Sequence, residues 1–310
     1  MNLNELSSQE LFEQLNKGEL SVLRLIGAGE LHDEMEQVGE LCTNLANWIC
    51  SEEDDSKLRK RACRMIKTIL PAKLEAEFPD YDDTIVIGFN HPSLGEIFRL
   101  LYLGFEKYPE REFLFPVNIP WYENIVPIIP QLKRMKISVT PLITPATEEK
   151  LMKMFSGDEE KLSQVRHLKT LFERKYMREA RRFAENRGII VVAPSATRQA
   201  EVISDNIHPT MTLLAHMIFR NSNIKALFLP VAIIEPKNND RKVNLLKLYG
   251  IYPCKPFYAD EVKRLTEKGR TFDITFLKRI DEIYCVKKKT NFPDTINTFI
   301  KTFKNRMNNR

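Results

Sequence analysis

Apolar residues recur at three- and four-residue spacing from Leu11 through Leu15, Leu20, Leu23, Ile26, Leu31, Met35, Val38, Leu41, Leu45 and Trp48. That is the period of one apolar stripe on amphipathic helices, so the first 75 residues are expected to be helical. Ser7-Ser8-Gln9-Glu10 has the Ser-x-x-Glu spacing of a capping box at the start of the first helix. The acidic loop 51–56 interrupts the stripe, which resumes over 57–70 before Pro71. A helix with one apolar face must bury it, which predicts a small bundle packed on the remainder of the chain.

The texture changes at Pro79-Asp80. Short runs rich in Ile, Val and Phe predict strands over 84–89, 112–117, 136–142, 189–193 and 226–234. Between them lie helical stretches at 93–108 and 209–221 and a long charged helix over about 148–187, with a break near Ser156-Gly157 and an end at Gly188. A Pro-rich loop holding Trp121, Pro127 and Pro130 follows the second strand. Apolar runs alternating with helices predict an α/β fold, a largely parallel mixed sheet covered by helices on both faces. The expected organisation is a helical bundle over 1–75 and an α/β domain over 76–310, ending in a basic helical extension at 291–310 with Ile296, Phe299, Ile300 and Phe303 on one side.

Composition narrows the class. At 310 residues, with 43% hydrophobic and 29% charged positions, the chain can build a core without disulfide or metal support. The five cysteines (Cys42, Cys50, Cys63, Cys254, Cys285) form no C-x-x-C pair, which suits a reducing compartment and argues against structural zinc. The N-terminal Met-Asn-Leu-Asn-Glu-Leu has neither a basic n-region nor an apolar h-region, and no apolar run reaches the ~18–20 residues of a membrane span. A soluble, cytoplasmic protein is expected.

The net charge of +5 is unevenly spread. Residues 1–56 carry thirteen acids against Lys17 and Arg24, a balance of −11, so the rest of the chain carries +16. Nucleic acid, anionic lipid headgroups and a phosphorylated substrate all suit such a surface, and charge sign does not choose among them. Lys287-Lys288-Lys289 and the basic tail could hold anionic lipid or an acidic carrier protein, or simply keep the chain soluble. His32, His167, His208 and His216 have no partner spacing that suggests a metal site.

Two segments carry candidate chemistry. Asn90-His91-Pro92-Ser93-Leu94-Gly95-Glu96 follows a predicted strand, the edge where α/β sheets gather ligands and reactive groups. Pro92 suits the first helical position, which would place His91 at the helix mouth and Glu96 about one turn in. A carboxylate bonded to one imidazole nitrogen leaves the other free to accept a proton. The competing reading is a turn histidine with Glu96 solvated. The second segment, Ala193-Pro194-Ser195-Ala196-Thr197-Arg198, is again a strand running into a turn. Its small residues allow close approach, Thr197 and Arg198 suit an anionic group, and turn amides suit a developing oxyanion; a capped turn with a surface arginine is the alternative.

The order and spacing of these segments resemble the glycerolipid acyltransferase superfamily, which includes glycerol-3-phosphate and lysophosphatidate acyltransferases. The family's His-x4-Asp block is matched by His91 to Glu96, with glutamate in place of aspartate. Its Pro-Glu-Gly-Thr-Arg block is matched by Pro194 to Arg198 without the Glu-Gly; the soluble plastid-type enzymes, with Ala-Pro-Ser and an arginine three residues on, are nearer still. A strand with a central proline is matched by Leu229-Pro230-Val231-Ala232. The helical N-terminus resembles the plastid-type layout, and the likeness spans about residues 1–235. The family's second block is not recognisable at 137–143, and Thr144-Pro145-Ala146 stand where plastid-type enzymes carry a basic pair, so Lys150, Lys153, Arg166 or His167 would have to substitute.

The resemblance implies fatty-acyl transfer from an acyl carrier protein or coenzyme A thioester to glycerol-3-phosphate or a related phosphorylated hydroxyl. His91 would be the base, Glu96 its support, and Ser195, Ala196, Thr197 and Arg198, with Lys150 and His167, would bind substrate. No cofactor, metal or nucleic acid is implied, and contact with an anionic membrane would be peripheral, in the cytoplasm or in a plastid stroma. A different acceptor, a non-catalytic basic binder on the same fold, and a metal-dependent hydrolase built on His91 and Glu96 are the competing classes.

Overall fold

The computed structural model describes residues 6–33, 36, 40, 43, 44, 47, 51, 54–90, 95–194, 209–220, 223–235, 248–268 and 271–289. The chain divides into two units, each discontinuous in sequence: 1–59 with 112–191, and 60–111 with 192–310. The fold is α/β, and four of the five strand pairings described below are parallel.

In the first unit, β3 (Phe113–Asn118) lies between β4 (Ile137–Leu142) and β5 (Ile189–Val192), all parallel, with Phe113 opposite both Ile137 and Ile189. The N-terminal helices α1 (Ser8–Lys17), α2 (Val22–Leu25) and α3 (Gly29–Asp33) precede them in sequence. Ser7 and Glu10 cap α1 reciprocally, as their spacing predicts. The stripe residues Leu11, Leu15, Leu23, Ile26 and Leu31 are buried in a core shared with Ile119, Tyr122, Leu151, Val165 and Phe172, so these helices complete the core of the α/β strands. Met35, Val38, Leu41, Leu45 and Trp48 lie outside the described residues.

The Pro-rich segment is not a loop. It forms α6 (Ile119–Ile125), a 3-10 turn (Val126–Ile128) and α7 (Ile129–Arg134), each with proline at its start. Proline suits that place because its missing N–H would have no intrahelical partner there, so the same residues that suggest a loop are helix starts. The long charged segment is two helices, α8 (Pro145–Met154) and α9 (Glu159–Glu185), broken at Gly157 as expected. Along α9, Leu162, Val165, Leu168, Phe172, Tyr176, Ala180 and Phe183 are buried, while Arg181–Glu185 and Arg182–Glu179 ion pairs occupy the solvent side.

The second unit contains β1 (Ala72–Leu74), β2 (Thr84–Phe89), β6 (Ala226–Ile234) and β7 (Tyr249–Pro253), in the order β1-β7-β6-β2. β6 runs parallel to β2 and antiparallel to β7. The bounds of β2 and β6 are those expected; β1 replaces helix at the end of the first 75 residues, and β7 was not anticipated. Both missed strands are short and depend on each other, Ala72 pairing with Tyr249. The helices are α4 (Asp55–Ile69), whose residues from Lys60 on belong to this unit, α5 (Glu96–Lys107), α10 (Thr210–Phe219), α11 (Ala259–Thr266) and α12 (Thr271–Lys289). The tail at 291–310 lies outside the described residues.

An aromatic cluster of Phe228, Phe257, Phe272 and Phe276 holds α12 to β6, with edge-on and stacked contacts at centroid separations of 5.3–5.9 Å. Phe276 lies so close to β2 that a Cβ on Gly88 would meet its ring at 2.5 Å. Only glycine admits that approach.

Two helices are capped by carboxylates from distant chain segments. Glu123 accepts hydrogen bonds from the Ser21 hydroxyl (2.6 Å) and the amides of Val22 (2.7 Å) and Leu23 (3.2 Å) at the start of α2. Asp273, wholly buried, accepts from the amides of Met211 (2.8 Å) and Thr212 (3.3 Å) and from the Thr212 hydroxyl at the start of α10. Burial raises both acids above the ordinary carboxylate range, more than these hydrogen bonds lower them. For Asp273, as pH climbs from the ordinary aspartate value towards the raised native one, the unfolded chain has released the proton and the folded chain has not. The folded state therefore loses stability with rising pH, at up to ~1.4 kcal/mol per unit. Asp273→Asn removes that contribution, so as pH rises from the ordinary aspartate value of about 4 the variant's stability should fall less steeply than the wild type's in urea unfolding. Parallel slopes would rule out a native aspartate with raised affinity for its proton.

Candidate active site

β2 is buried along its whole length, as a Thr-Ile-Val-Ile-Gly-Phe run requires, and it delivers Asn90 to its carboxyl end. There the Asn90 side chain acts as a further rung of the β2–β6 pairing. Its Nδ2 donates to the Ile233 carbonyl (2.9 Å) and its Oδ1 accepts from the Ile233 amide (2.6 Å). The residue before His91 is thereby clamped to a neighbouring strand.

His91 itself and Pro92 to Leu94 lie outside the described residues. The chain is described again at Gly95, which begins α5 with φ +99°, a backbone region that glycine enters without steric cost. Helix therefore starts at Glu96 rather than at 93, and Glu96 is the first helical residue rather than one turn in. It is also completely buried, which overturns the reading of it as a solvated acid. A carboxylate in a first turn is favoured by the unsatisfied helix amides and the positive end of the helix dipole.

Three residues further on, Arg99 is completely buried as well. Its guanidinium lies over the Tyr249 ring, 3.7 Å from the centroid, and its Nε donates to the Pro71 carbonyl at 3.3 Å. It folds back towards the start of its own helix, where a Cβ on Gly95 would stand 3.0 Å from Nη1. Burial pulls Arg99 below the usual arginine value, while the electrostatic influence of Tyr249, Glu96 and Tyr102 pulls it back. Glu96 and Arg99 are thus an acid and a cation, both wholly buried, three residues apart on α5. Reading the sequence missed Arg99. The signal was a lone cation inside the apolar stretch Ile97–Phe105 at helical spacing from Glu96.

The second segment is described up to its turn. β5 ends at Val192, one residue before the expected end; Ala193 is half-buried and Pro194 buried. Ser195, Ala196, Thr197 and Arg198 lie outside the described residues. The segment Leu229-Pro230-Val231-Ala232 is strand as expected: Pro230 is buried within β6, opposite Gly88, and its carbonyl accepts from the Cys254 amide at 2.8 Å.

Lys150 and His167 belong to the first unit, Glu96 to the second. Both are exposed, on α8 and α9. Of the other suggested substitutes for a basic pair, Lys153 pairs with Glu149 (2.7 Å) and Arg166 approaches Glu159 (3.9 Å). Among the described residues no three His, Cys, Asp or Glu side chains are grouped to hold a metal ion, and no helix is long and apolar enough to cross a membrane.

No model of a known protein family matches the chain, and no curated protein is similar to it in sequence. Among solved structures it is similar to the 1-acyl-sn-glycerophosphate (LPA) acyltransferase PlsC from Thermotoga maritima, with a TM-score of 0.39 and 15% identity over 80% of this chain and 97% of that one.

Proposed function

We propose that this chain is an O-acyltransferase that moves a fatty acyl group from an acyl carrier protein or coenzyme A thioester to a hydroxyl of glycerol-3-phosphate or a related phosphorylated acceptor. The observation that carries this reading is the burial of Glu96 at the first turn of α5, five residues after His91 in sequence, with Asn90, the residue before His91, clamped to β6. A surface acid would have no use for such a place. A carboxylate that orients an imidazole and offsets the charge it gains does.

In this reading His91 takes the proton from the acceptor hydroxyl as that oxygen attacks the thioester carbonyl carbon. A C–O bond forms, the C–S bond breaks as the tetrahedral intermediate collapses, and the proton passes from His91 to the departing thiolate. Glu96 remains ionised throughout. Arg198 receives the acceptor phosphate, whose oxygens a planar guanidinium can engage in pairs, and amides of the 195–198 segment face the developing oxyanion. The step needs no cofactor beyond the acyl donor. Peripheral contact with anionic lipid through Lys287 to Lys289 and the basic tail would bring the enzyme to its product's destination.

The test is incubation of the full chain with a labelled palmitoyl thioester and a panel of acceptors: glycerol-3-phosphate, lysophosphatidate, a lysophospholipid and a sugar lipid. Acceptor-dependent appearance of label in an extracted ester, greatest with a glycerol phosphate, is the expected result. Label released only as free fatty acid, at the same rate with every acceptor and with none, would overturn the assignment.

A further inference from the structure

We infer that the outward face of α10 and the start of α12 dock the protein on an anionic lipid bilayer, with Leu213 and Ile274 entering the headgroup layer. This gives the peripheral contact proposed above an apolar anchor, and it holds whether or not the chain transfers acyl groups.

α10 reads Thr-Met-Thr-Leu-Leu-Ala-His-Met-Ile-Phe, apolar on nearly every side and without an acid. A helix of that kind is ordinarily enclosed by the rest of a protein. Met211, Leu214, Ala215 and Ile218 are indeed buried, but Leu213 is 52% exposed, and His216 beside it is exposed too. The cap that Asp273 supplies brings the first turns of α10 and α12 together, and the next residue, Ile274, is 38% exposed. One exposed leucine is unremarkable on any surface. Two large aliphatic side chains, each next in sequence to a residue of the same buried contact, ask for a cover.

Charge indicates what that cover is. Arg220, two turns beyond Leu213, and Lys278, one turn beyond Ile274, are both exposed. So is Lys263 of α11, whose ammonium lies 5.5 Å from the centroid of the Phe219 ring on α10. None of the three has a carboxylate partner among the described residues. The acid nearest the patch, Asp273, is wholly buried in its capping role; the exposed acids Asp260 and Glu267 lie on α11 and just after it. A second copy docking face to face across a two-fold axis would set these cations against their own counterparts. An anionic bilayer instead offers phosphate oxygens to the cations and, beneath them, an apolar layer to the aliphatic side chains.

Flotation of the full chain with vesicles of phosphatidylcholine, with and without phosphatidylglycerol at roughly one lipid in three, measures the contact. Wild type should bind the mixed vesicles and bind pure phosphatidylcholine far more weakly. L213S/I274S should weaken binding to the mixed vesicles roughly 10-fold by removing the apolar anchor. R220Q/K278Q should weaken it about fivefold for each charge lost. Both variants change exposed side chains and should keep the wild-type melting temperature. A second readout locates the contact: L213W should be quenched by bromine-labelled lipid beyond the background that Trp48 and Trp121 give in wild type. Binding by L213S/I274S equal to wild type would overturn the inference, leaving the basic tail to carry any contact, and so would an unquenched Trp at 213. A wild-type dimer that L213S/I274S converts to monomer in sedimentation would overturn it as well, by assigning the face to a second copy. Acylation of glycerol-3-phosphate without vesicles, measured in parallel, should be the same in L213S/I274S as in wild type. Lipid binding through Leu213 in a chain that transfers no acyl group defeats the acyltransferase reading alone; acyl transfer without such binding defeats this inference alone.

Discussion

His91→Ala is expected to lower acyl transfer from a thioester donor by roughly 10²- to 10⁴-fold, the usual contribution of a positioned general base. The chain should meanwhile keep its melting temperature and its affinity for the donor. The separation follows from the residues that flank it. The Asn90 side chain ties its own segment to Ile233, and Glu96 is placed by the start of α5, so neither support depends on the imidazole. Glu96→Gln should lower the rate as well, to a smaller extent, because the imidazole would keep a neutral hydrogen-bond partner while losing the charge that stabilises its protonated form. Initial rates at saturating donor, paired with a thermal melt, read both effects. Wild-type turnover in the His91 variant would end the assignment of an acyltransferase acting through this segment.

Phe272→Ala should cost about 3–5 kcal/mol of folding stability in urea unfolding, the range for deleting a buried aromatic side chain. Phe272 is wholly buried and meets Phe228, Phe257 and Phe276 at centroid separations of 5.3, 5.4 and 5.9 Å. Collapse of the surroundings cannot close the space cheaply. Phe228 is fixed in β6, Phe257 is bridged to Phe228 through the backbone, and Phe276 already stands against Gly88. The next residue, Asp273, caps α10, so a shift of the first turn of α12 would also disturb that helix start. A loss below about 1 kcal/mol would mean that the ring is not part of a close-packed core.

Much of the secondary structure could be read directly. β2 and β6 are found at 84–89 and 226–234, the capping box at Ser7 and Glu10 forms, and the long charged stretch breaks at Gly157. These features obey short-range rules: a run of β-branched residues, a four-residue cap, a glycine between two helical stripes. The errors have equally local causes. Prolines at 120, 127 and 130 read as loop because proline ends helices, yet here they begin them. Three residues of β1 were too few to show a period of two after a run of helix. At the candidate site the order of the blocks was legible, whereas the burial of Glu96 and the presence of Arg99 were not. Exposure of a charged residue depends on what covers it, and here the covering partners include Pro71 and Tyr249.

The sequence by itself determined the alternation of strand and helix, the acid five residues after His91, and the absence of local metal-ligand spacing, because each depends only on neighbours a few positions away. The tertiary structure decided that the two units are each assembled from separate stretches of chain, that Ala72 pairs with Tyr249, that Glu123 and Asp273 cap helices far from them in sequence, and that an arginine shares the buried setting of Glu96. Loss of water and gain of a counter-charge are properties of a place in the fold, and long-range packing brings those groups to it.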